Sequence, residues 1–77
     1  MSKFIDSLKM EYNKLLKREK NAENFLDNVA TPKDIEKWTP EFIKITVELS
    51  AIINKFKSSS GRDMTVDEII NGFKDVS

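Results

Sequence analysis

The side chains of this chain that could do chemistry are carboxylates, lysines and serines, because it contains neither histidine nor cysteine. Three serines stand together at Ser58-Ser59-Ser60. A serine nucleophile needs a base to take its proton, and without histidine the usual triad cannot be assembled. The same two absences remove the common zinc and iron ligands and exclude a disulfide staple. Paired carboxylates hydrolyse glycosides, but they do so across a cleft that 77 residues rarely build. Asp63, Asp67 and Glu68 could hold a cation. They do not follow an EF-hand loop, and they suit the positive end of a helix equally well. There is no glycine-rich phosphate loop. The chain is therefore read as non-enzymatic, with no catalytic residue, no metal and no cofactor expected.

Binding residues are easier to nominate. Lys14, Lys17 and Arg18 share one face of a helix, directed away from its apolar stripe, and could follow phosphates or grip an anionic molecule such as a nucleotide. A solvated helix face with Glu11 and Glu19 nearby is the plainer account. Trp38 stands beside Phe42, where it either plugs the end of a bundle or offers a partly exposed anchor for a partner. Ile43 and Val47 widen the apolar arc of their helix beyond an ordinary surface stripe. They either pack under short terminal helices or form a two-fold interface. Glu19 falls in the middle of the first apolar stripe. It is either near a surface, with a lysine reaching over to it, or a half-buried carboxylate that binds a cation.

Thirteen basic and thirteen acidic residues give no net charge, so neither a basic nucleic-acid binder nor an acidic mimic is indicated. The charge is blocked along the chain. Residues 1–20 carry six basic and three acidic groups, 21–41 two and five, 42–60 three and one, 61–77 two and four. Helices packed with opposite charges adjacent account for this. No run of apolar residues is long enough to span a membrane. One domain of this size buries only about 60% of its unfolded surface, so stability must come from close helix packing or self-association.

The elements that must position these residues are all helical. Phe4, Leu8, Tyr12, Leu15, Ala22 and Leu26 recur at helical spacing and predict a first helix over about 2–29, with Lys14, Lys17, Arg18 and Asn21 opposite and a break allowed at Asn21–Asn24. Thr31-Pro32-Lys33-Asp34 is a helix start, and Thr39-Pro40-Glu41 repeats the signal at once. Proline disfavours helical angles in the residue before it. This predicts a short helix over 32–38, a corner at Trp38-Thr39, and a long helix over 40–57. That helix carries Phe42, Ile45, Leu49, Ile52, Ile53 and Phe56, and ends at the serines and Gly61. Thr65-Val66-Asp67-Glu68 is a capping box that opens a last helix over about 66–74, which docks through Ile69, Ile70 and Phe73. The expected fold is an all-α single domain: two long helices with a short middle and a short C-terminal one.

At Glu36-Lys37-Trp38-Thr39-Pro40-Glu41-Phe42 and at Met64-Thr65-Val66-Asp67-Glu68-Ile69-Ile70-Asn71-Gly72-Phe73, the chain resembles small accessory proteins of phages and prophages of low-GC Gram-positive bacteria. The composition, rich in Lys, Asn and Ile, is similar too. The resemblance carries over no catalytic residue. It implies a setting in the host cytoplasm, where such proteins bind and redirect host or phage proteins, as anti-CRISPR and other anti-defence proteins do. The expected function is thus a helical protein-binding module, an inhibitor of a host defence or replication protein. It would use an exposed patch around Trp38, Ile43 and Val47 and could form a homodimer. The alternative is a nucleic-acid or nucleotide-binding accessory protein that uses Lys14, Lys17 and Arg18.

Overall fold

The structure, a computed structural model, describes residues 3–28 and 31–76. It is all-α: helix α1 spans Lys3–Asn28, α2 spans Pro32–Ser60 and α3 spans Val66–Asn71. Ser2, expected to start the first helix, and Val29, expected to end it, lie outside the described residues. No strand occurs among the described residues, and none of their helices is long and apolar enough to cross a membrane.

Helix α1 forms a hairpin with α2. It runs through Asn21 and Asn24 without a break, and Asn28 Nδ2 closes its last turn by donating to the Asn24 carbonyl at 3.1 Å and to Asn24 Oδ1 at 2.7 Å. Helix α2 starts where the sequence indicates. Thr31 has extended angles, its Oγ1 accepts from the Asp34 N–H at 3.2 Å, and Asp34 Oδ2 accepts from the Thr31 N–H in return.

The expected corner at Trp38-Thr39 does not exist. α2 continues unbroken through Pro40, so the separate helices over 32–38 and 40–57 are one element. Pro40 removes a single intrahelical donor. Against that, Ile35, Trp38, Phe42, Ile45, Leu49, Ile52 and Phe56 keep alternating spacings of three and four across the proline. A corner would throw that stripe out of register with α1. Thr39 bonds back through Oγ1 to the Ile35 carbonyl, as a residue inside a helix does and a cap does not. The helix also outlasts its expected end at Lys57. It reaches Ser60, where Gly61 at φ +77° caps it by donating to the Lys57 carbonyl at 3.0 Å.

Helix α3 is shorter than expected. Its capping box forms, with Thr65 and Glu68 exchanging hydrogen bonds of 3.1 and 2.9 Å. The helix stops at Asn71 because Gly72 takes φ +84° with an extended ψ. Its own apolar residues do not dock, since Ile69, Ile70 and Val66 are exposed. The residues on either side of it dock instead: Met64 before the helix and Phe73 after it are both buried.

The core runs through Leu8, Tyr12, Leu15 and Leu16 of α1, Ile45, Leu49, Ile52 and Phe56 of α2, and Met64 and Phe73. Apart from Ile45, which also lines the other half, the buried residues lie in the half of the hairpin that α3 covers. Phe73 stacks edge-on to Tyr12 at 5.8 Å and tilted to Phe56 at 5.2 Å. Asn13 clamps the chain after α3: its Nδ2 donates to the Phe73 carbonyl at 2.9 Å, and its Oδ1 accepts from the Phe73 N–H at 2.7 Å. Tyr12 Oη donates to the Ile69 carbonyl at 2.7 Å, and Lys9 pairs with Asp75 at 2.6 Å.

Candidate functional site

At the other half of the hairpin no described residue supplies a third wall. There an open cleft of about 460 Å³ lies between α1 and α2. Its floor is Ala22, Phe25 and Leu26 from α1 and Trp38, Phe42 and Ile45 from α2. Arg18 and Asn21 stand on the α1 edge, with Glu41 on the α2 edge. Trp38 occupies the same stripe as Phe56 but is 43% exposed where Phe56 is 1%. The Lys37 ammonium lies 5.2 Å from the centre of the Trp38 ring and covers part of it. Such a cleft can take an apolar side chain between an arginine and a glutamate. It gathers no nucleophile with a base, and no group of three or more metal ligands exists among the described residues.

The expected single patch of Trp38, Ile43 and Val47 is split in two. Five residues advance a helix by about 140° and nine by about 180°. Trp38 lines the cleft, while Ile43 and Val47, 54% and 62% exposed, sit on the far flank of α2. Among the described residues neither terminal segment covers that flank, because α3 packs on α1 near Tyr12 and Asn13. Of the two accounts of the flank, packing under terminal helices is therefore excluded.

Lys14, Lys17 and Arg18 are all exposed and line one depression of about 770 Å³. Glu11 and Glu48 line the same depression, so the face is mixed rather than basic. Arg18 does not point away from the apolar surface as expected, and neither does Asn21, since both reach the rim of the cleft.

Glu19 is half-buried, at the position on α1 where the packed half of the stripe gives way to the open half. Together with burial, which is the larger cause, its negative charge pushes the Tyr12 phenol up. The acidic residues near α3 are each paired: Asp63 with Lys57 at 3.3 Å, Asp67 with Lys74 at 3.5 Å, and Glu68 with Arg62 at 2.9 Å. The Arg62 hydrogen bond, helped by the Thr65 backbone, draws Glu68 down to about 2. Of the serine cluster, Ser60 donates to the Phe56 carbonyl at 2.7 Å as part of the helix end.

Sequence reasoning missed Phe25 and Glu41 as site residues. Phe25 is one position off the main stripe, yet Phe4, Glu11, Arg18 and Phe25 follow each other every seven residues, as do Glu41 and Glu48. These lines mark the edge of the helix pair and were legible once α1 and α2 were known to be neighbours. No family model, no curated protein and no solved structure matches this chain.

Proposed function

We propose that this chain is a non-enzymatic helical module that works by binding another protein. The observation that carries the reading is the uncovered apolar cleft with Trp38 on its floor. A tryptophan on a core stripe, left open beside phenylalanines and framed by charged residues, has the composition of an interface anchor within a polar rim. The exposed flank of Ile43 and Val47 is a second surface of the same kind. Given the resemblance to phage accessory proteins, the partner would be a host defence or replication protein met in the host cytoplasm, and binding would inhibit it.

A photo-crosslinking residue placed at position 38, and separately at 43, tests this in cells of the native host. The expected result is a discrete protein adduct from at least one position, lost when a neighbouring contact such as Phe25 or Val47 is changed to aspartate. No protein adduct from either position overturns the reading.

The second reading, nucleic-acid or nucleotide binding, draws support from Lys14, Lys17 and Arg18 lining one depression. Glu11 and Glu48 in that depression weaken its attraction for phosphate. Binding of a labelled oligonucleotide that falls steeply with salt, and is lost when all three cations become glutamine, would establish it over the first.

A further inference from the structure

We propose that the cleft is closed by a second copy of this chain, in a two-fold dimer in which Arg18 of each protomer faces Glu41 of the other. The inference rests on reading the cleft as a protein-docking surface and names its occupant. The cleft has one basic edge, on α1, and one acidic edge, on α2. Arg18 and Glu41 are both exposed, and neither takes part in an ion pair among the described residues. Two such faces can meet about a two-fold axis in the interface in two ways. An axis across the helices sets α1 against α1 and like edges together. An axis along the helices sets α1 of one copy against α2 of the other, so that Arg18 meets Glu41 twice at the same level. Only the second is complementary, and an isologous contact repeats it by symmetry. It also lays Trp38 and Phe25 of one copy against those of the other and completes a four-helix arrangement at the end where a single chain has only two.

The dimensions permit it. The molecule is 45 Å long and 20 Å wide. One long side is thus of the order of the ~800 Å² per partner of a standard interface. The depression beside Lys14 and Glu48 continues the cleft along this side. The flank of Ile43 and Val47 stays free in such a dimer and can still take a different protein.

Sedimentation equilibrium of the full chain over a wide concentration range tests the mass, expected at twice 8.9 kDa. Arg18→Glu alone and Glu41→Arg alone place like charges opposite each other and should each weaken self-association at least about tenfold. Their helical circular dichroism should be unchanged, because both side chains are exposed. An equimolar mixture of the two variants should restore a dimer, since each mixed pair then joins opposite charges at both contacts. A pairing within one chain would be restored by the double variant and not by mixing. A wild type that stays monomeric at every concentration overturns the dimer, as do single variants that associate like wild type or a mixture that fails to recover. None of these touches the broader reading, which falls only if positions 38 and 43 give no adduct with any protein other than a second copy of this chain.

Discussion

The two halves of the hairpin are built from the same pattern and end in opposite states. In the half that α3 covers, residues at alternating spacings of three and four are almost completely buried, and Phe56 and Tyr12 have 1% of their surface left. In the other half the same spacing continues through Phe42, Trp38 and Ile35 on α2 and through Ala22 and Leu26 on α1, and none of these five is fully buried. Two helices can press only one seam of each against the other, and an aromatic ring is wider than that seam. Covering it needs a third element. Met64 and Phe73 supply one at the closed half, held by Asn13, Tyr12 and Lys9. What the contrast teaches is that a helical stripe states which residues seek cover, while the presence of a third wall decides which of them get it.

Substitutions at the two ends test that contrast most directly. Phe56→Ala should destabilise by about 3–5 kcal/mol, enough to unfold much of so small a domain, as urea denaturation would show. Trp38→Ala removes a larger ring and should change monomer stability far less. Equal effects would mean that the open half is packed after all.

The clamp is the next largest. A side chain at Gly72 would place its Cβ 2.5 Å from Asn13 Oδ1, in a backbone region that disfavours every residue but glycine. Gly61 has nothing within 4 Å of the equivalent position. Gly72→Ala should thus cost more than the roughly 1 kcal/mol of Gly61→Ala, and release Phe73 as seen in the near-ultraviolet dichroism of Tyr12. A smaller loss at Gly72 than at Gly61 would show that Asn13 yields.

Pro40→Ala should raise the melting temperature, by up to about 3 kcal/mol of stability, because it returns the one missing donor to a helix that is already continuous. A fall would show that the chain needs the proline at the open half.

Acid should act on the closed half. The carboxyl of Glu68 lies at about 2 in the fold against an ordinary 4.5. A lowered value means stability that is complete above 4.5 and lost as the pH falls toward 2. Asp75, lowered by Lys9, and Asp67, lowered by Asn71 and Lys74, act in the same sense. Hydrogen exchange of α3 should quicken over that window, and Glu68→Gln should flatten the dependence. The smallest effect belongs to Ile43→Asp, expected within about 0.5 kcal/mol of wild type by thermal melting.

How much of this was legible depends on the range of the interaction. The caps at Thr31 and Thr65, the stop at Gly61 and the stripe residues were readable because each rests on bonds within about four residues. Pro40 misled because its rule describes a local preference, and one lost bond weighs less than a seam kept in register along the whole of α2. The candidate site was half legible. Trp38, Ile43, Val47, Lys14, Lys17 and Arg18 are all exposed, but only the packing of α1 on α2 shows that Trp38 faces away from Ile43, that Arg18 edges the cleft, and that Phe25 and Glu41 belong with it.

The sequence by itself determined an all-helical chain, the starts of its helices and the side of each that seeks burial, because helical hydrogen bonds and side-chain periodicity are local. Only the tertiary structure decided where that burial is achieved. The contacts that close one end join residues 57 to 66 positions apart, Tyr12 to Ile69 and Lys9 to Asp75 among them. No spacing rule reaches that far, and the end they leave open is where this protein has surface to offer.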